Sequence, residues 1–279
     1  MPELPEVETM RRDLQKAVGR KVITAVEVLD PKAVAGGPDS LTTGLAGRHV
    51  RSYDRRGKVL ILRLDDGRTL LLHPRMTGRF QLLRPHDELP RHARVVFHLS
   101  GGQRLVFEDP RRFGRVELRP AGEEEAGTLL CRIGPDATRC DADRLREALR
   151  RRRTPIKALL LDQTILAGIG NIYASEICYR CGLDPRTPSH ALRLPEVRQL
   201  AAATEAVLSE GIALRGTTIS DYRTVGGRSG GFQKRLAVYG REGEICLRAG
   251  CPGRIQRVVL AGRSTYFCSH CQRKGRRRK

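Results

Sequence analysis

Tryptophan is absent from this 279-residue chain, and tyrosine and phenylalanine number six each. A surface that stacks single-stranded bases ordinarily draws on more aromatics than that. No uninterrupted apolar run comes near the roughly 18–20 residues of a membrane-spanning helix, which excludes an integral protein of that type. The opening MPELPEVETMRRDL carries three glutamates before its first arginine. It has no basic stretch followed by an apolar one, so no secretory signal is expected and the protein is placed inside the cell. Acidic residues are also short: 31 Asp and Glu stand against 52 Lys and Arg, a formal charge of +21.

Such an excess needs an acidic partner. A membrane surface usually demands a basic amphipathic helix with bulky apolar residues opposite, whereas here the basic residues run through the whole chain. They peak at Arg150-Arg151-Arg152-Arg153 and in the stretch from Cys246 onward, which contains no Asp or Glu. Duplex DNA held mainly through its phosphates fits this distribution best. The length suffices for one large domain or two ordinary ones, each with a sizeable core.

Leu4, Val7, Met10, Leu14 and Val18 recur at spacings of three and four, which predicts an amphipathic first helix. Pro5 and Glu6 suit its first turn. Between Lys21 and Leu118 the pattern changes to short β-rich runs, among them KVITAVEVL, KVLILRL, RTLLLH, ARVVFHL and QRLVFE. Gly, Asp and Pro turns separate them, which predicts a β-sandwich or barrel. From Asp141 to about Ile219 the pattern is helical, and Gly226, Gly227, Gly230 and Gly231 then mark a loop. The expected class is α+β, with more than one domain.

Four of the eight cysteines, Cys246, Cys251, Cys268 and Cys271, form C-x4-C-x16-C-x2-C. In a reducing compartment this spacing points to a closed structural zinc site, because four thiolates satisfy the tetrahedral ion. Two disulfides are the alternative. Between the pairs, IQRVVLAGRSTYF reads as two strands around Gly262, which makes a β-hairpin zinc finger. Cys178-x2-Cys181 looks like a redox or metal pair, but it falls on an apolar helical face in IYASEICYRCGL and is expected to pack.

Several short motifs carry chemistry. GIGNIYASE places Gly168 and Gly170 before a helix opening near Asn171, where backbone N–H groups can meet a phosphate. Alone, an ordinary turn and cap explains it as well. DPRRFG, Asp109 to Gly114, is a turn with two arginines and an aromatic. It is either an Asp–Arg salt bridge beside a packed Phe, or a loop that pushes Arg111 and Phe113 into a DNA groove. The N-terminus carries the sharpest possibility. Methionine ahead of Pro is commonly removed, which leaves Pro2 as a free secondary amine. Such an amine attacks an aldehyde-level carbon and forms a cationic iminium. The positive end of the helix dipole disfavours its protonated form, and the adjacent Glu3 is placed to move protons.

In this order, MPELPEVET, RRGK, DPRRFG, GIGNIYASE, VYGREG and the cysteine finger resemble the formamidopyrimidine-DNA glycosylases. These are bacterial base-excision enzymes that remove oxidised purines such as 8-oxoguanine. The resemblance runs from Pro2 to Gln272. The related endonuclease VIII branch typically has Gly where this chain has Leu4, so the purine-specific branch is favoured. A non-catalytic damage binder is expected to have lost Pro2, Glu3 or Lys58, and all three are present. The resemblance implies a catalytic β-sandwich with flanking helices over 1–132 and a helix-two-turn-helix domain over 133–234. Within the latter, segment 217–232 would close over an extruded base. A zinc finger and basic tail would occupy 235–279. It further implies one structural zinc on the four finger cysteines, no organic cofactor, a monomer, and oxidised duplex DNA as partner in the cytoplasm, at the nucleoid.

The resemblance also assigns roles. Pro2 is the expected nucleophile, and Glu3 the proton donor to the sugar ring oxygen. Lys58 and Arg263 complete the catalytic set, both on phosphates near the lesion. Glu6, His73, Met76, Arg111, Phe113, Lys157 and Asn171 are the expected DNA-binding residues. Among them, Glu6 orders the N-terminal site and Asn171 clamps a phosphate beside Arg263. Met76, Arg111 and Phe113 fill the gap left by the extruded nucleotide, with Arg111 facing the orphaned cytosine. Two departures stand out. Four residues, where the family usually has two, separate Cys246 from Cys251, and HPRMTG replaces the usual His-Leu-Gly-Met pattern before Met76.

Overall fold

A computed structural model of the chain describes residues 1–125, 127–219 and 222–273. They form two compact units, Met1–Arg132 with Leu214–Gln233, and Ile133–Ala213 with Lys234–Lys279. The terminal KGRRRK, and Ser220 and Asp221 of the glycine-rich segment, lie outside the described residues.

The first unit opens with α1 (Leu4–Ala17). Leu4, Val7, Met10 and Leu14 are fully buried along one face, as the three-and-four spacing requires. Nine strands follow: β1 (Val22–Val28), β2 (Val34–Ala35), β3 (Arg48–Arg56), β4 (Val59–Leu64), β5 (Thr69–His73), β6 (Arg79–Leu83), β7 (Ala93–Leu99), β8 (Arg104–Glu108) and β9 (Arg115–Arg119). A short helix, α2 (Pro38–Leu45), lies between β2 and β3. The strand order is β2-β9-β5-β4-β3-β1-β7-β8-β6. Strands β1 and β3 pair only at Val22↔His49 and Ile23↔Arg48, and the sheet folds over at that corner. Leu60, Leu62, Leu70 and Leu72 from one half then share a core with Val95, Phe97, Leu105 and Phe107 from the other, and with Val7, Met10 and Leu14 of α1. The β-rich part is therefore a sandwich flanked by helices.

The chain passes between the halves twice in neighbouring positions. His73 at the end of β5 pairs with Arg115 at the start of β9. Arg79 at the start of β6 pairs with Glu108 at the end of β8. The links 74–78 and 109–114 therefore run side by side.

The second unit contains α3 (Ala142–Arg150), α4 (Ile156–Leu160), α5 (Asn171–Arg180) and α6 (Leu194–Ala213), followed by a hairpin of β10 (Ile255–Leu260) and β11 (Arg263–Cys268). Asp141 caps α3 by accepting the Arg144 N–H at 2.8 Å. Helix α5 is buried from Ile172 to Tyr179, and Cys178 and Cys181 are packed inside the unit, as the apolar pattern predicted. The hairpin turns at Ala261 and Gly262, with φ of 47° and 72°. Two positive φ angles are what a mirror-type two-residue turn needs. Among the described residues no helix is long and apolar enough to cross a membrane.

Candidate functional site

In the first unit, the head of α1 is closed to water. Glu3 and Glu6 are 2% and 1% exposed, and Pro2 is buried beside them. Glu6 is the third residue of the helix, and its Oε2 reaches back to accept the Glu3 N–H at 2.7 Å, half of a capping box. Its Oε1 accepts the Thr217 N–H at 2.6 Å. Gly216, with φ of +83°, permits that approach, since a Cβ there would lie 2.7 Å from Oε1. The two feet of the glycine-rich segment clasp each other: Gly231 donates to the Leu214 carbonyl at 2.8 Å and Phe232 to that of Gly216 at 3.0 Å. Asp13 of α1 adds an ion pair with Arg215 at 2.6 Å and accepts the Val225 N–H at 3.3 Å. Glu6 thus ties that segment to α1.

Lys58 sits in the tight turn between β3 and β4, after Gly57 at φ +57°. Leu60 pairs with Leu72, which brings Lys58 and His73 to the same end of β4 and β5. Burial pushes the His73 imidazole down to about 3, with help from the charges of Arg75 and Lys58. The ring is therefore neutral, and its Nδ1 accepts the Arg75 N–H at 2.9 Å. That bond holds Arg75 at φ +52° and shapes the link into Met76.

Met76 and Phe113 are 37% and 48% exposed. The Arg111 guanidinium lies 4.9 Å from the Phe113 ring centroid. The plain alternative for DPRRFG, a salt bridge beside a packed Phe, does not hold. Arg112 pairs with Asp30, at 2.6 and 2.8 Å, and Phe113 faces outward. Asp109, which the motif suggested as an arginine partner, is 1% exposed and accepts backbone N–H groups of Arg111 and Gly114 at 3.2 and 2.7 Å.

In the second unit, Gly168 takes φ +110° and Gly170 precedes the first turn of α5. Asn171 donates through Nδ2 to the Ser264 carbonyl at 3.0 Å. Its Oδ1 accepts from Lys157 Nζ at 2.6 Å. Lys157 also donates to Thr265 Oγ1 at 2.8 Å and to the Ser264 carbonyl at 3.1 Å. Lys157 therefore differs from the expected DNA ligand. It is 1% exposed and holds Asn171 and strand β11 together, because a buried ammonium must be surrounded by acceptors. Arg263 is exposed at the start of β11, next to the residue that Asn171 grips.

Glu176 carries no sequence signal beyond its place in NIYASE. Its buried carboxylate accepts N–H groups of Ala237, Val238 and Tyr239 at 2.9, 3.0 and 2.9 Å. Burial pushes its carboxyl above the usual range, against those three donors. It fastens α5 to the VYGREG segment ahead of the finger.

The Sγ atoms of Cys246, Cys251, Cys268 and Cys271 all lie within 4.8 Å of one another. Cys246–Cys271 and Cys251–Cys268 are each 3.7 Å apart. A tetrahedron with Zn–S bonds of about 2.3 Å has edges of roughly 3.8 Å, whereas a disulfide needs about 2.05 Å. The four thiolates fit one structural zinc, and the long first knuckle closes without disturbing it. Gly253 makes room, since a Cβ there would lie 2.6 Å from Cys268 Sγ. The hairpin keeps full register from Ile255↔Cys268 to Leu260↔Arg263.

Family models described as the formamidopyrimidine-DNA glycosylase N-terminal domain, its H2TH domain and a zinc finger found in FPG and IleRS match residues 1–116, 133–223 and 240–273. A formamidopyrimidine-DNA glycosylase of Paracoccus denitrificans is 44% identical over 282 residues, covering 98% of this chain and 100% of its own. That of Ruegeria pomeroyi is 41% identical over 283 residues with the same coverage. A mutant Lactococcus lactis Fpg solved with Fapy-dG-containing DNA gives a TM-score of 0.91 at 34% identity, over 98% of this chain and 100% of that one. The wild-type Lactococcus lactis protein with DNA containing an oxidised pyrimidine gives 0.90 at 34% identity and the same coverage. With similarity of this extent across the sandwich, the helical segment and the finger, the chain belongs to the formamidopyrimidine-DNA glycosylase family.

Proposed function

We propose that this chain is a bifunctional DNA glycosylase and abasic-site lyase that excises oxidised purines from duplex DNA in base-excision repair, acting as a cytoplasmic monomer at the nucleoid. The observation that carries this reading is the head of α1, where Pro2 stands beside two buried glutamates, one of them fixed by the other. Removal of Met1 converts the Pro2 amide to a secondary amine. That amine attacks C1′ of the damaged nucleotide, the bond to the base breaks, and the proton that the amine nitrogen loses on forming the new bond is taken up by the departing base. Glu3 supplies a proton to the sugar ring oxygen as the ring opens to an iminium. The iminium acidifies C2′, so loss of that proton expels the 3′ phosphate. A second elimination expels the 5′ phosphate.

The base must leave the stack for this chemistry, at a cost of a few kcal/mol. Exposed Met76, Arg111 and Phe113 are suited to fill the gap. Lys58, Asn171 and Arg263 are suited to hold phosphates, Asn171 in an orientation set by Lys157. Zinc, when bound, supplies folding energy to the finger and thereby fixes the hairpin that carries Arg263. Relatives solved with Fapy-dG, oxidised-pyrimidine and abasic-site DNA support a lesion substrate.

Borohydride trapping on an 8-oxoguanine–cytosine duplex tests the chemistry. The form that starts at Pro2 is expected to give a covalent protein–DNA adduct, and a form that retains Met1 none. Equal trapping by both forms would refute Pro2 as nucleophile. Faster release of thymine glycol than of 8-oxoguanine would move the substrate to oxidised pyrimidines.

A further inference from the structure

Met76 stands on the link 74–78, while Arg111 and Phe113 stand on the link 109–114. A side chain on a link acts as a wedge only if its backbone is held. The Asp109 carboxylate touches both links. Its Oδ1 accepts from the Thr77 hydroxyl, in a very short contact, and from the Arg111 N–H at 3.2 Å. Its Oδ2 accepts the Gly114 N–H at 2.7 Å. The Arg111 N–H also lies 3.3 Å from Thr77 Oγ1. Gly114 fits only without a side chain, since a Cβ there would lie 2.4 Å from Phe107 Cζ and 3.1 Å from Asp109 Oδ2. Arg112, at φ +59° and paired with Asp30, fixes the middle of the turn, so that its neighbours point outward. The donors around Asp109 are thus an amide on each side of Phe113 and the hydroxyl next to Met76.

We propose that Asp109 is a positioning residue that, through Thr77, fastens the two links into a single wedge, so that Met76, Arg111 and Phe113 enter the duplex together. This rests on the lesion-excision function proposed above. A carboxylate suits the place because both oxygens accept. An asparagine would turn its NH2 toward either the Gly114 or the Arg111 N–H, and neither can accept. Thr77→Val keeps the shape and removes only the cross-link.

The test is a double-mutant cycle on single-turnover base release from an 8-oxoguanine–cytosine duplex, using the full chain without Met1. In the parent, Met76→Ala, Phe113→Ala and their combination are expected to slow release by similar factors, because losing one member disables the unit. In the Thr77→Val background the two losses should multiply. Asp109→Asn should slow release by about tenfold or more while cutting a pre-formed abasic site within about twofold of the parent, because little unstacking is needed there. With no native tryptophan, Phe113→Trp gives a sole reporter on the link. Its acrylamide quenching should rise when Asp109→Asn or Thr77→Val is added. Losses that multiply in both backgrounds, or quenching unchanged by Thr77→Val, would overturn the fastening, even if Asp109→Asn fails to fold. A parent that releases no base would instead refute the proposed function, and the quenching arm would still decide the fastening.

Discussion

Gly216 holds a site together by what it lacks. Its φ of +83° costs an alanine about 1–2 kcal/mol, and a Cβ would press on the Glu6 carboxylate that accepts the Thr217 N–H. Gly216→Ala is expected to lower stability by roughly 1–3 kcal/mol in thermal unfolding. It should also slow base release, and the steric part of the loss should shrink in a Glu6→Ala background. His73 makes a pH-dependent contribution. Its folded value is depressed to about 3, while the unfolded imidazole takes a proton near 6.5. The native state therefore binds fewer protons, and stability present above pH 6.5 falls as pH drops toward 3. Glu8, held down to about 2 by hydrogen bonds from Arg11 and Arg12 that outweigh its burial, adds stability that is full above about 4.5 and is lost only as pH falls toward 2. Between pH 7 and 5 His73 drives a decline, while Glu176, whose carboxyl is raised by burial, acts in the opposite sense. His73→Asn, which keeps an acceptor near the Arg75 N–H, should flatten the unfolding midpoint across that window. An unchanged slope would contradict the neutral, half-buried ring.

Elements differed in how far the sequence disclosed them. Helix α1 and the finger hairpin were legible, because one shows a strict apolar spacing and the other two β-rich runs about a turn. Strand β3 was not. RHVRSYDRR turns only Val50 and Tyr53 fully inward, and a bulge between Val50 and Ser52 breaks its alternation. Helix α2 was hidden by Gly44, which reads as a breaker. In the fold, a Cβ at Gly44 would lie 2.5 Å from Leu118 Cδ2, so close packing demands the glycine. Lys157 was legible as a residue but not as a place, since nothing in PIKALLL tells a buried ammonium from a surface one. Lys157→Met should strand the acceptors on Asn171, Ser264 and Thr265, at about 1–3 kcal/mol. DNA affinity should fall, with little change in the unfolding of the sandwich. Cys268→Ser, or zinc removal by a chelator, should unfold the finger and weaken DNA binding while the sandwich keeps its circular-dichroism signal. Metal analysis showing no zinc in the parent would overturn that assignment.

At the scale of the whole molecule the net charge of +21 sets a salt dependence. Each cation that neutralises a phosphate contributes about 0.9 to the slope of log affinity against log salt. Lys58→Ala and Arg263→Ala should each flatten that slope by about one, whereas Asn171→Ala should weaken binding and leave the slope nearly unchanged. A slope unmoved by Arg263→Ala would place that residue away from the backbone of the duplex. The charge and the motifs foretold a DNA partner. They could not foretell that the chain from Leu214 to Gln233 packs with the sandwich, because the mooring depends on two carboxylates, Glu6 and Asp13, more than two hundred positions earlier. The clasp between Leu214 and Gly231 also has an evolutionary meaning. A segment whose two feet are fastened to each other, and whose Tyr222 and Val225 are buried in the core that α1 shares, can change without the helix refolding only at the residues between those anchors. Variation in such a scaffold is confined to the exposed run from Gly226 to Ser229, and the head of α1 need not be remodelled with it.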